Sequence, residues 1–321
     1  MSRNVRILFL AGGIAYVIVS IVRAGPTLLL EMLRRVGWSV GTVVLLYSAH
    51  VVVRALALWR VVVDRSVGFA DVLRVRLSGE AVEVLTYTGP FLAEPAKGWL
   101  LTRRGLPTAV AFGAIATEYL LYTTVSAALA LTAFSLLAVY GLAPVFARAS
   151  MGIALAMAAF IVAVGFAAVS GIGLIVPAVR ASGALLGRSR MSRAADAIEP
   201  VERELVSFLH EHPARMTEVL AIEAVSHALM IAEIWIVLSA LGVPYSARDP
   251  LIIEGGAKLI GVAFFFIPGQ LGAMEAVYAA LLRAVGLSAS VGLTLAFVRR
   301  LRSVCVATAG LLVLARFHVR P

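Results

Sequence analysis

The stretch FFFIPGQLGAMEAVYAALLRAVGL, Phe264 to Leu287, decides how the chain is read. Three phenylalanines and an isoleucine run into Pro268-Gly269-Gln270, Gly272 follows, and an apolar helix then begins with Glu275 on its first turns. Proline and glycine inside so apolar a segment free backbone groups from helical hydrogen bonds. Lipid cannot satisfy those groups, so the break must lie against protein or a wet cavity. Broken helices of this kind are where membrane transporters place substrate sites.

The rest of the composition agrees. Hydrophobic residues make up 61% of 321, charged residues only 14%, and mean hydropathy is +0.97. A chain of this kind is expected to be an all-α polytopic membrane protein and one integral membrane domain over 1–321. The formal charge is +10, with Lys97 and Lys258 the only lysines among 28 basic residues. Basic loops beside apolar spans are a topology signal; membrane lipids are the expected electrostatic partner and nucleic acid is not. Cys305, the one cysteine, can form no intrachain disulfide.

A first crossing is expected over Ile7–Val22, a second from Trp38 to Val63, then spans over Thr108–Tyr140, Ala149–Val176, Met216–Gly242 and Leu287–Phe317. Between Asp64 and Arg104 no uninterrupted run is long enough to cross. Gly89-Pro90 and Glu94-Pro95 break it, which suggests a helix to about Thr88 and a short helix returning to the same side. In the last span Arg299, Arg300 and Arg302 leave apolar runs too short to cross on either side. Arg299 falls roughly 15 Å along a helix that must cover about 30 Å, and shares a face with Arg302 but not Arg300. The competing reading, a last span over 271–298 with the arginines at its cytoplasmic end, strands Ser303–Phe317 on the surface without an amphipathic pattern.

Loop arginines concentrate on one side if both termini are cytoplasmic, the segment from 177 to 215 being a cytoplasmic linker. About six full transmembrane helices and two re-entrant hairpins result. The unit crossing, hairpin, crossing occurs over 38–140 and, oppositely oriented, over 216–317: an inverted repeat. Several charged pairs sit four apart on one helical face: His50 with Arg54, Glu223 with His227, Glu254 with Lys258. The first two are each read first as an interior pair, with a proton-relay role the sharper alternative, whereas Glu254–Lys258, like Glu94–Lys97, is either a plain helical ion pair or part of a headgroup site. His210 and His212 flank Glu211 without a third ligand at a usual spacing, so a solvated loop is expected there and no metal or cofactor is assigned. No nucleophile elbow or acidic dyad is recognisable, so no catalytic residue is assigned either.

The segment TGPFLAEPAKGWLLTRRG (Thr88–Gly105), paired with IPGQLGAMEAVYAALLRAVGL (Ile267–Leu287), resembles the two signatures of the lysylphosphatidylglycerol synthase transmembrane-region family, also called flippase-like membrane proteins. The matching positions are Pro90, Glu94, Lys97, Arg103, Gly105, Pro268, Gly269, Gly272 and Glu275; Ala93 stands where a glycine often precedes the glutamate. The second motif also resembles the hopanoid-associated branch, which implies a polycyclic or isoprenoid lipid. The resemblance implies a lipid-translocating core. No long polar segment follows Pro321, so the aminoacyl-transferase activity of the synthases is not expected.

Charge placement makes Lys97, Lys258, Arg299 and Arg302 candidates for holding an anionic headgroup. Pro90, Pro268, Gly269 and Gly272 mark the helix breaks, and Glu94 and Glu275 are charge partners beside them. The expected function is that of a lipid flippase or transporter in the bacterial cytoplasmic membrane. The alternatives are an accessory lipid-binding scaffold of an envelope-synthesis pathway and a membrane-embedded lipid-modifying enzyme; a homo-oligomer stays open.

Overall fold

The computed structural model describes residues 27, 31, 34–62, 67–85, 90–140, 147–263 and 273–316. Every described element is a helix: α1 Ser39–Val61, α2 Phe69–Leu85, α3 Pro90–Thr102, α4 Thr108–Val139, α5 Ala147–Ser170, α6 Ile175–Ala181, α7 Gly183–Leu186, α8 Arg188–Glu211, α9 Pro213–Ala240, α10 Asp249–Ala263, α11 Ala273–Ala284 and α12 Ala289–Ala315. The expected crossing over Ile7–Val22 and the break at Pro268, Gly269 and Gly272 lie outside the described residues.

By length and composition α1, α4 and α9 can cross a membrane, and α5 with the bent α6–α7 gives a fourth if counted as one span. At 32 residues α4 reaches roughly 48 Å, more than a hydrocarbon core of about 30 Å requires, so it tilts or extends beyond that core. The 27-residue α12 runs unbroken through Arg299, Arg300 and Arg302, against the reading that ended the last span at 298. Three arginines make its composition less apolar than that of α1, α4, α5 and α9.

The protein is apolar outside and charged within. Leu45 (71% exposed), Leu155 (63%) and Val169 (82%) face outward, while Arg54, Arg76, Lys97, Glu118, Glu223, Glu233, Glu254, Arg299 and Arg302 are buried. A water-soluble fold buries apolar residues and keeps unpaired charge at its surface; lipid around the protein inverts that preference.

Two apolar layers sandwich those charges. One gathers Leu58 and Val61 of α1, Val72 and Val75 of α2, Leu100 and Leu101 of α3, Ile115 of α4 and Val219 of α9. The other gathers Val43 of α1, Ile234 and Leu238 of α9, Ile253 of α10, Val277 and Leu281 of α11 and Leu295 of α12. Helix α1 therefore leaves the second layer and ends in the first, whereas α9 leaves the first and ends in the second. Helix α12 starts in the second layer at Leu295 and reaches the first at Leu314. The pair α2–α3 belongs to the first layer and α10–α11 to the second.

Helices α1 and α9 pack together, as do α2 with α12 and α4 with α10. Two of these crossings are too close for a side chain. A Cβ on Gly310 of α12 would collide with the Leu77 carbonyl of α2. One on Gly255 of α10 would lie 2.6 Å from both the Leu129 carbonyl oxygen and the Ala133 Cβ of α4. Small residues let membrane helices approach backbone to backbone.

The span expected over Ala149–Val176 ends earlier. At Gly171, whose φ of +67° suits glycine, the chain turns, and α6 leaves α5 at 115°. The buried Glu202 carboxylate accepts the Ile175 and Val176 backbone N–H groups at 2.6 and 2.9 Å, satisfying donors freed at the start of α6. The segment 177–215, read as a linker with a solvated loop at His210–His212, contains the amphipathic helix α8, which lays Leu205, Val206, Phe208 and Leu209 against its neighbours. His210 Nδ1 meets the Ala168 carbonyl oxygen at 3.0 Å, and His212 packs edge-on against Phe208.

Candidate functional site

Ionisable side chains from α1, α2, α4, α9, α10 and α12 form two three-cornered groups in the interior. In the first, Glu118 of α4 presents one oxygen to two arginines. Arg54 of α1 donates to it from Nε (3.0 Å) and Nη2 (2.6 Å), and Arg76 of α2 from Nη1 (3.4 Å). Arg76 also pairs with Glu80 one turn on, at 3.0 Å, and Tyr47 donates to Glu80 at 2.8 Å. Arg54 approaches Glu223 of α9 at 3.7 Å and covers the Tyr122 ring at 3.6 Å.

In the second group Arg299 of α12 is the centre. Its Nε donates to Glu233 of α9 at 3.0 Å, its Nη1 to the Tyr278 hydroxyl at 2.6 Å and its Nη2 to the Met230 carbonyl at 3.0 Å, while Nη2 also lies 2.6 Å from Glu254 of α10. Lys258 stands one turn beyond Glu254, 3.5 Å from its carboxylate, and donates to the Tyr122 hydroxyl at 2.5 Å. Charges in so apolar a setting are stable only when each is paired and hydrogen-bonded, and here each hub charge is met by two of opposite sign.

The four cations singled out in the sequence all reach this core, and each has a carboxylate beside it. Lys97 is 1% exposed with Nζ 2.6 Å from Glu94. Its aliphatic stem passes over Gly79, where a Cβ would come within 2.6 Å of Cγ and Cδ. Arg302 contacts Glu233 at 2.9 Å and covers the Tyr47 ring at 3.9 Å. Arg300, on the other face as expected, meets Glu275 at 2.8 Å. Pro90 is the first residue of α3. His50 and Arg54 both face the interior, His50 Nδ1 lying 3.1 Å from the Ser226 carbonyl oxygen. Glu223 and His227 do not meet through their side chains. The Glu223 carboxylate takes the Ser226 hydroxyl at 2.9 Å, and His227 bridges the Glu223 carbonyl (2.8 Å) and Ser126 (2.8 Å).

Spacing did not single out Glu118, Glu233, Arg76, Glu80 or the tyrosines 47, 122 and 278. The available signal was that Glu118 is the only charged residue between Thr108 and Tyr140, since a lone carboxylate in a span that long demands a partner from elsewhere. No group of three or more His, Cys, Asp or Glu positioned to hold a metal occurs among the described residues.

An all-helical protein with a lipid-facing apolar exterior and a paired charged core is an integral membrane protein. Residues 5–310 match the family described as Lysylphosphatidylglycerol synthase TM region, and the chain belongs to that family. No synthase domain is detected. No curated protein and no solved structure matches the chain.

Proposed function

We propose that this protein binds a lipid at its charged core and moves it between the leaflets of the bacterial cytoplasmic membrane, as two oppositely oriented repeats with both termini cytoplasmic. The observation that carries the reading is the opposite course of α1 and α9 through the two apolar layers, with the pair α2–α3 at one end and α10–α11 at the other. The two units are 38–140 and 216–317, joined through the segment 177–215. With the first crossing and the long helices counted together, six spans and two re-entrant hairpins result.

Residue positions support the same repeat. Arg54, Arg76, Glu80 and Glu118 of the first unit correspond, at a nearly constant separation along the chain, to Glu233, Glu254, Lys258 and Arg299 of the second. Every sign is reversed and the three-cornered connection is kept. The close crossings correspond as well, Leu77 against Gly310 and Gly255 against Leu129. A charged site where inverted repeats meet, beside broken helices, suits a substrate whose polar head enters the protein while its chains stay in lipid. Lys97, Lys258, Arg299 and Arg302 are the headgroup-binding residues in this reading, with Glu94 and Glu275 their charge partners and Pro90, Pro268, Gly269 and Gly272 the breaks; the lipid carries an anionic group on a glycerol or isoprenoid body.

The accessory-scaffold reading draws on α8, whose arginines 188, 190, 193 and 203 are exposed, and on a cleft of about 380 Å³ lined by Arg180, Glu199, Arg203 and His210. Proteoliposomes separate the two. With a fluorescent phospholipid quenched from outside, the wild-type protein is expected to make the inner-leaflet label accessible, and Lys258→Met to slow that exchange about tenfold, the loss of one charge-assisted contact. Exchange no faster than in protein-free vesicles would overturn translocation and leave the scaffold.

A further inference from the structure

We infer that Glu223 is a proton-binding site, and that it takes up a proton when the core takes up a singly charged anionic headgroup. The inference rests on the lipid-handling reading above and adds a second ligand to it. It starts from the order of the ion pairs. In the first group the contacts run Glu80, Arg76, Glu118, Arg54, Glu223, at 3.0, 3.4, 2.6 and 3.7 Å. In the second they run Lys258, Glu254, Arg299, Glu233, Arg302, at 3.5, 2.6, 3.0 and 2.9 Å. Both series alternate in sign, but the first begins and ends on a carboxylate and the second on a cation. The first therefore carries a surplus carboxylate and the second a surplus cation. Lys258, 23% exposed, is the reachable end of the second series; Glu223, 0% exposed, is the sealed end of the first.

Glu223 is poorly supported as an anion. Glu80, Glu118, Glu233 and Glu254 each have a cation within 3.0 Å, whereas Arg54 stops 3.7 Å from Glu223, beyond hydrogen-bonding reach. Its Oε1 is buried without a hydrogen-bond partner. Its Oε2 is placed for a proton. Ser226 Oγ lies 2.9 Å from Oε2 and 2.8 Å from the Glu223 carbonyl oxygen. A hydroxyl has one hydrogen and a carbonyl can only accept, so both contacts are full hydrogen bonds only when Oε2 carries a proton and donates it to Oγ. Ionised, Glu223 takes the Ser226 hydrogen and the carbonyl contact goes unmade. The charged and titratable groups around it have partners of their own. His50 of α1 meets the Ser226 carbonyl, His227 spans the Glu223 carbonyl and Ser126, and Arg76 of α2 keeps Glu80 and Glu118. Earlier on α9, Glu218 pairs with Arg60 of α1 at 2.6 Å. Later on it, Glu233 holds Arg299 and Arg302 of α12.

Two states of the paired series are free of net charge: empty with Glu223 ionised, and anion-bound with Glu223 protonated. An anion at Lys258 without the proton leaves net negative charge in a low-dielectric interior, which is costly. Tyr122 joins the two places, its hydroxyl taking Lys258 at 2.5 Å and its ring lying 3.6 Å beneath Arg54, the cation beside Glu223. Each ligand therefore favours the other, by the same factor in both directions.

Isothermal titration calorimetry of the full-length protein in detergent tests this, with dioctanoyl phosphatidylglycerol, whose only titratable group is its phosphodiester. Repeating the titration in buffers of different ionisation heat counts the protons taken up. Uptake approaching about one proton per lipid is expected, and affinity should fall by up to about tenfold per pH unit as pH rises through the range of uptake, because the complex holds the proton that alkali withdraws. Glu223→Gln keeps the shape and a donor toward Ser226, and should bind the lipid without proton uptake and without pH dependence. Wild-type binding with no proton uptake at any pH at which the protein stays folded would overturn the inference, with no variant needed, and leave the lipid reading standing. Uptake that persists in Glu223→Gln would put the proton on another group and overturn it as well. Absence of lipid binding at every pH would overturn the lipid reading and this inference together.

Discussion

Glu118→Ala is expected to destabilise the protein by about 3–5 kcal/mol, the range for removing one partner of a buried ion pair. Glu118 is 0% exposed, and one of its oxygens takes three donor nitrogens from Arg54 and Arg76. Its loss leaves Arg54 with the 3.7 Å approach of Glu223 and Arg76 with Glu80 alone. Neither arginine can reach water without α1 and α2 moving. Glu118→Gln keeps the shape and some hydrogen bonding but removes the charge, and should fall between alanine and wild type. The comparison is Glu199→Ala, which breaks the exposed contacts to Arg180 and Arg203 and should cost no more than about 1 kcal/mol. Thermal unfolding in detergent, followed by tryptophan fluorescence, reads all three. Similar losses for Glu118→Ala and Glu199→Ala would mean that the first group does not hold α1, α2 and α4 together.

Gly310→Val is expected to cost about 3 kcal/mol, the upper end of the usual range for overpacking. The obstacle is backbone: the new Cβ would meet the Leu77 carbonyl, with Ala81 Cβ a further 3.1 Å contact, and a helix carbonyl cannot rotate aside as a side chain can. Relief requires α12 to move away from α2. That movement also carries Arg299 away from Glu233 and Glu254, so the strain reaches the charged core. Gly255→Val should act alike at the α10–α4 crossing, because its Cβ would stand 2.6 Å from Leu129 oxygen. The same unfolding measurement applies. A neutral Gly310→Val beside a damaging Gly255→Val would set the two crossings apart and weaken the correspondence between the repeats.

The long apolar helices were legible because lipid imposes a length and forbids loose backbone. Thr108–Tyr140 appears as Thr108–Val139, and Leu287–Phe317, the span carrying the three arginines, as Ala289–Ala315. Faces were legible too: Arg299 and Arg302 both turn to Glu233, Arg300 to Glu275. Partners were not. Nothing local to Glu118 says that it will meet arginines from α1 and α2, because such pairing is settled by which helices pack. For the same reason Arg299 and Arg302 could be chosen as intramembrane charges, yet not as members of pairs across helices. The bend after α5 had a local signal, Gly171 and Gly173 two apart, but its cause is remote: Glu202 of α8 holds the first amides of α6, and a Cβ on Gly173 would lie 2.5 Å from that carboxylate carbon. The helical α8 was hidden by its polarity, since its apolar stripe has meaning only against α4 and α5.

The claim on which the rest depends is that the two units face opposite sides of the membrane. With Cys305→Ser as background, single cysteines at Arg103, between α3 and α4, and at Ser288, between α11 and α12, report the two ends, both positions being exposed. A membrane-impermeant maleimide added to intact cells with a permeable outer envelope is predicted to label Ser288→Cys at once and Arg103→Cys only after the inner membrane is opened. Labelling of both positions from the same side would contradict the inverted arrangement, and with it the site where the two halves meet.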